Sequence, residues 1–389
     1  MRLVYGGFVI DSLGNILGSE GADYLIGDTN GEPIYGNGGN DRLEGGAGDD
    51  VIDGGFGDDV IAGGPGNDVL RGGSGRDTLD FSAAPAGIQV SLRFHTAQGD
   101  GYDRIAGFEH VLGSRYADVM YGDAGDNRLT GGAGDDFLDG RDGRDTVVYY
   151  DAPGSVMVDL AASTADGHGH DTLVDVESVL GSRFSDVLRG DGRDNWLTGR
   201  QGDDLLDGRG GSDVASFAYA ATGVDVRLED AAGTGQGHAT GEGLDTLIDI
   251  EGAVGSAFAD VLAGTTGANW QSGGAGGDRL LGLAGDDQLF GAEGDDRLEG
   301  GAGDDLLVGG AGADVFVFGS GSGADRISGF QPGLDRIELT SPGPGSFDEL
   351  RGALATAAGG TLLRFDDGGS VLLQGIAAEQ LRADDFLWT

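Results

Sequence analysis

Along most of this chain an apolar side chain returns every nine residues, two places after an acidic or amide residue. Four consecutive units read GGAGDDVID (45–53), GGFGDDVIA (54–62), GGPGNDVLR (63–71) and GGSGRDTLD (72–80). In each unit a six-residue, glycine-rich polar run precedes three residues whose middle member is apolar: Ile52, Ile61, Leu70 and Leu79. Three extended residues with the middle one inward make a minimal strand, and the glycine run makes a tight turn. The period therefore predicts short strands joined by turns and stacked as a solenoid, with one core side chain per turn.

Twenty-two such units occur, in blocks of seven (18–80), four (113–148), four (181–216) and seven (255–317). Residues 1–17 form an N-terminal lead, and residues 81–112, 149–180 and 217–254 are spacers. Each spacer alternates apolar residues, as in Ile88-Val90-Leu92, Val156-Val158-Leu160 and Val224-Val226-Leu228. Each then reaches a Gly-x-Asp-x-apolar step: Gly101-Asp103-Ile105, Gly169-Asp171-Leu173 and Gly243-Asp245-Leu247. That half-signature predicts that the spacers are stacked turns too, so that the blocks form one interrupted solenoid; separate rolls joined by loops are the alternative. Residues 318–389 lose the glycine period and read as a small β-rich cap, with strands at Thr361–Phe365 and Ser370–Leu373 around a turn at Asp366–Gly369.

Composition narrows the class. Eighty-two glycines without a three-residue period, and only 7 prolines, exclude collagen. Regular Leu, Ile and Val placement argues against disorder. Against 67 acidic residues stand 23 basic ones, all arginine, for a formal charge of −44. This predicts neither a nucleic-acid partner nor an anionic-lipid one. Cysteine is absent, which removes disulfide and zinc-thiolate staples. Met1 to Ile10 lacks a secretory apolar run, and no stretch approaches transmembrane length.

The candidate chemistry sits at position six of the unit. Asp occupies it in 18 of the 22 units: Asp23, Asp41, Asp50, Asp59, Asp68, Asp77, Asp118, Asp136, Asp145, Asp186, Asp204, Asp213, Asp260, Asp278, Asp287, Asp296, Asp305 and Asp314. Glu32, Asn127, Asn195 and Asn269 are the exceptions, each in the second unit of a block. Calcium takes six to eight oxygens from carboxylates and carbonyls, more than one turn supplies, so stacked turns must share each ion. The three Asn keep a carbonyl oxygen but no charge, and 27–35, with Pro33 and few glycines, is expected to bind poorly. Asp49, Asp58, Asp135, Asp203 and Asp304, at position five, are expected to face solvent.

The unit G-G-x-G-x-D-x-U-x resembles the RTX (repeats-in-toxin, hemolysin-type) nonapeptide. The resemblance implies an all-β, right-handed parallel β-roll in which two units make one coil and each calcium ion sits between turns n and n+2. The blocks then offer five, two, two and five such pairs. Defective units thin these to about ten bound ions. Because the aspartates repel one another and the core is thin, folding is expected to require calcium at roughly 10⁻⁴–10⁻³ M.

The C-terminus resembles the uncleaved export segment of RTX proteins that leave bacteria through type I (ABC) secretion machinery. The matching residues are ADVFVF (313–318), Gly323-Ala324-Asp325-Arg326-Ile327, Phe330, Gly333-Leu334-Asp335-Arg336-Ile337 and Asp384-Asp385-Phe386-Leu387-Trp388. This implies an extracellular location. Catalytic signatures are missing: none of the five histidines forms HExxH, and no GxSxG occurs. His168 and His170 read as a surface turn rather than a zinc site, and Trp196 and Trp270 as packing rather than sugar stacking. The leading reading is a non-enzymatic secreted module with a matrix, adhesion or surface role, its partner an extracellular polysaccharide or cell surface. A polysaccharide-modifying enzyme, or its detached RTX module, is the alternative; an aromatic-lined spacer groove with paired carboxylates would favour it.

Overall fold

The computed structural model describes residues 9–10, 14–228, 236–340, 346–366 and 368–388. Most of the N-terminal lead, Met1–Phe8 and Asp11–Leu13, lies outside the described residues, as does Asp367 in the anticipated turn. The chain forms two compact units, residues 1–183 and 184–389.

Each nonapeptide folds as a turn followed by a short strand, and successive strands alternate between two parallel sheets. Partners in a sheet are therefore eighteen residues apart, as in Val51↔Val69 and Arg42↔Val60. Position eight points between the sheets: Ile52, Ile61, Leu70 and Leu79 have no exposed surface. Positions seven and nine point outward, as strand alternation requires. Pro33 opens a strand that pairs in register with Val51–Phe56, so the irregular 27–35 unit keeps its rung; a proline is tolerated at the first residue of a strand.

In the first unit, one sheet runs without interruption from Tyr24–Ile26 to Ser178–Leu180. Each spacer gives this sheet a single strand, His110–Leu112 or Ser178–Leu180. The other sheet receives three strands per spacer. Tyr102–Ala106 stacks on Val69–Ser74, Thr96–Gln98 runs antiparallel beside it, and Gln89–Ser91 then pairs with Val119–Tyr121. Thus the spacers are only partly stacked turns. Each adds one regular coil plus an inserted antiparallel hairpin, because apolar alternation fixes which face a strand buries but not its direction.

The second unit repeats the plan, with Gln236–Thr240 as the antiparallel strand between Asp225–Arg227 and Leu244–Ile248. The roll also continues beyond Val317: Ala324–Ser328 and Arg336–Leu339 add a rung to each sheet. The cap follows. A short helix, Phe347–Ala353, starts at Ser346, whose hydroxyl accepts the Glu349 N–H. Gly360–Arg364 and Ser370–Gln374 form the expected hairpin, and Phe386–Trp388 joins Arg336–Leu339 in parallel.

One core side chain per turn makes each methylene count. Replacing Ile52 by Ala should cost about 2–4 kcal/mol, against less than about 1 kcal/mol for the outward Val51→Ala, read from guanidinium unfolding midpoints by circular dichroism.

Candidate functional site

The turns stack as closely as the strands. At Gly54, position one, an added Cβ would overlap the Gly72 carbonyl oxygen and Oδ2 of Asp59, so only glycine fits there. This brings position six of each turn under position six of the turn above. The backbone N–H of Asp41 donates to Oδ1 of Asp59 at 2.8 Å, Asp50 to Asp68 at 2.8 Å, and Asp59 to Asp77 at 2.9 Å. The same rung recurs through the fourth block, from Asp260 to Asp278 and from Asp296 to Asp314.

Position five builds a second ladder of opposite sense. The N–H of Arg76 donates down to Oδ1 of Asp58 at 2.8 Å, and that of Asn67 to Asp49 at 2.8 Å. These aspartates are exposed, as their sequence position suggests, yet one oxygen of each caps a backbone donor.

Carboxylates outside the nonapeptides carry the inner ladder onward. Asp68 N–H meets Oδ1 of Asp103, Asp136 meets Asp171, and Asp204 meets Asp245, at 2.9 to 3.0 Å. On the side of each unit that takes no hairpin, Glu109 in the first unit and Glu251 in the second accept from Asp77 and Asp213 through Oε2 at 2.8 and 2.9 Å. Asp145 donates likewise to Glu177 at 3.1 Å. Sequence reasoning missed the three glutamates, although each lies four residues before the first glycine of the next block, in phase with position six. Asp325 and Asp335 extend the rows into the C-terminal region.

The second oxygen divides the turns into two classes. In fourteen units Oδ2 is buried and receives no hydrogen bond: those of Asp41, Asp50, Asp59, Asp68, Asp77, Asp136, Asp145, Asp204, Asp213, Asp278, Asp287, Asp296, Asp305 and Asp314. In all of them the position-two residue has a positive φ; six are not glycine, namely Asn37, Arg141, Arg200, Arg209, Leu283 and Ala292. The first two units of each block differ. Ser19, Ser114 and Ser256 donate their N–H to Oδ2 of Asp23, Asp118 and Asp260 at 2.5 to 2.6 Å, closing the turn on itself. Asp123, Asp191 and Thr265 close in the same way onto Oδ1 of Asn127, Asn195 and Asn269 at 2.7 to 2.8 Å. Glu32 accepts from Asp28 through Oε1 and keeps Oε2 buried without a partner. Asp186 is buried, with its N–H on Asp204 Oδ1 at 2.7 Å.

None of the fourteen carboxylates is in an ion pair; arginines pair instead on the outer faces, as in Arg42–Asp80 and Arg297–Glu338. Burial above all, then neighbouring aspartates, raises all fourteen above the ordinary carboxyl range. Asp41 rises to about 6, Asp136 to about 7 and Asp204 to about 8. A buried anionic oxygen without a donor is unfavourable unless a cation neutralises it. Hard oxygens, one carboxylate per turn amid packed backbone carbonyls, suit a calcium ion. Among the described residues no three His, Cys, Asp or Glu side chains converge on one point.

Other candidates form no comparable site. His170 Nδ1 lies 2.6 Å from Asp166, whereas His168 faces Asp151 at 4.0 Å, so the two imidazoles pair with different carboxylates. Trp196 and Trp270 lie half-buried on an outer sheet face with ring centroids 6.1 Å apart, and Phe290 lies 6.0 Å from Trp270. Among the described residues, no helix is long and apolar enough to cross a membrane.

A family model described as the RTX calcium-binding nonapeptide repeat matches at 27–61, 35–70, 53–83, 112–147, 180–215, 254–289, 272–307 and 290–323, together more than half of the chain. Among solved structures, the extracellular lipase LipA from Serratia marcescens is similar at 20% identity and a TM-score of 0.28, over 54% of this chain and 39% of that one. The chain thus spans well under half of the lipase's length. The AlgE6R3 subunit of the Azotobacter vinelandii mannuronan C5-epimerase is similar at 32% identity and a TM-score of 0.19, over 33% of this chain and 78% of that one. Comparison with curated proteins returned no match. Ladder, repeat and family model agree: the chain belongs to the RTX calcium-binding nonapeptide-repeat family and is a calcium-binding β-roll protein.

Proposed function

We propose that this chain is a secreted, non-catalytic module that folds when it meets extracellular calcium and serves as a rigid matrix or adhesion element. The observation that carries this reading is the row of fourteen position-six aspartates whose Oδ2 is buried with no partner among the described residues. Position-six aspartates would hold the ions together with carbonyls of the stacked turns. Calcium supplies the positive charge that lets these rows approach one another. Export through type I machinery fits a chain that stays unfolded where calcium is scarce. The final strand supports that order, since Asp385 and Phe386 of the export-like segment are buried once the roll has formed.

One groove beside the first spacer, lined by Gln98, Tyr102 and Arg104, has the aromatic lining an enzyme would use, but its carboxylates, Asp68 and Asp103, belong to the inner ladder. A shallow groove in the first unit is lined by Asp80, Arg115, Tyr150, Asp151 and His168. Its carboxylates are already engaged, Asp80 by Arg42 and Ser82, and Asp151 by His168.

Far-UV circular dichroism of the full chain tests the folding claim. Chelated protein should show little β signal, which should return cooperatively between about 10⁻⁴ and 10⁻³ M calcium. A full β signal in excess chelator would overturn it.

The raised carboxyls also fix a pH dependence. Their folded pKa values lie above the unfolded value, so protons favour the calcium-free roll. That stabilisation is complete below the ordinary carboxyl range and is lost as pH rises through 6 to 8. Calcium displaces those protons, so its binding must weaken on acidification. Calorimetric titration at pH 8.0 and about 5.5 should show affinity falling at least about tenfold, with proton release at the lower pH. Equal affinity at both would contradict the assignment.

A further inference from the structure

We infer that the residue at position two of each nonapeptide selects whether that turn contributes a calcium-binding carboxylate, and that each block opens with turns that do not. This rests on the calcium reading above and divides the repeats it treats alike.

Two independent observations coincide. Every one of the fourteen units with an unpartnered Oδ2 has position two in the left-handed region. In seven of the other eight, position two is Ser, Asp or Thr outside that region, and its N–H donates to the position-six side chain. A single torsion decides between the two states. With φ positive, the position-two N–H turns away and the carboxylate keeps an oxygen for a cation. With φ negative, that N–H occupies the oxygen, and a serine hydroxyl adds a second bond, as Ser114 Oγ does to Asp118 at 2.7 Å.

Six open turns hold the strained torsion without glycine. Leu283 sits at φ +78° and Arg141 at +78°. Such conformations persist only where the surroundings enforce them. An oxygen left free for an ion is the gain that an open turn offers and a turn closed on Asp or Asn lacks; the longer Glu32 closes through Oε1 and keeps Oε2 free. The sequence distinguishes the classes cleanly: GDAGDN (122–127) is closed, whereas GGAGDD (131–136), two side chains different, is open.

Equilibrium dialysis of the full chain against radioactive calcium tests this directly. Asp118→Asn with Asp260→Asn should leave the number of bound ions unchanged, while Asp136→Asn with Asp278→Asn should remove about two. Equal losses in both pairs would overturn the selector. Because the second pair risks misfolding, a gain of sites gives a second readout. Asp123→Gly with Asn127→Asp makes 122–127 identical to 131–136, and Asp191→Gly with Asn195→Asp does the same kind of conversion in the third block. The four substitutions together should add about two ions to the wild-type number; an unchanged number refutes the proposal. A wild-type chain that binds no calcium would instead refute the reading on which it rests.

Discussion

Everything in this fold depends on one contact repeated at eighteen-residue intervals: a position-six backbone N–H donating to a carboxylate oxygen of the turn above. The contact requires turns to stack without intervening side chains, which is why position one is glycine. It fixes the register of both sheets, because sliding a strand by one residue would move the core side chain to the outer face and break the rung. It also creates the electrostatic problem. A carboxylate drawn into the stack uses one oxygen on the ladder and leaves the other in a dry environment beside further carboxylates. Hydrogen bonds to one oxygen do not offset that burial, as the raised proton affinities of Asp50, Asp136 and Asp204 show. The arginines that answer negative charge elsewhere stay on the outer faces. A divalent cation shared between turns answers both the charge and the missing donor.

The same contact explains the chain's composition. The glycines at positions one and two of the open turns serve close stacking and left-handed torsions rather than flexibility. The exposed aspartates at position five belong to the architecture as well, since each caps a donor of the next turn. Two ladders of opposite sense secure consecutive N–H groups in a turn that has no strand partner of its own. In the units with Asp at both positions five and six, acidic residues are thus used twice, which adds to the large negative charge.

Much of this was legible in the sequence. Period nine placed the strands, the single core residue and the position-six row, and the half-signature at Asp103, Asp171 and Asp245 placed the spacer rungs. The same half-signature at Asp325 and Asp335 went unread as roll because it lies in a segment whose glycine pattern has thinned. Glu109, Glu177 and Glu251 were hidden because a longer side chain reaches the same oxygen position from a turn that lacks the glycines. The inserted hairpins were invisible, since strands of either direction share an alternating pattern. The two fates of Oδ2 depend on a backbone torsion, and Leu283 or Arg141 gives no hint of a left-handed conformation by residue type.

The spacers account for two of the closed turns, those of Asp118 and Asp260. In the sheet that takes the hairpin, the ladder rising from Asp68 stops at Asp103, and the strand pairing with the next block is Gln89–Ser91. The donor meeting Asp118 there is the N–H of Ile88, at 2.8 Å, and Val224 meets Asp260 in the same way at 2.7 Å. The turn beneath these two opening units therefore presents an apolar residue where a ladder carboxylate would otherwise lie. An ion shared between stacked turns would find half of its ligands missing at that level. A serine at position two answers the stranded carboxylate with protein donors instead. The closed turns of Asp118 and Asp260 therefore stand where an inserted hairpin has removed the partner, and open turns resume in the third unit of each of these blocks.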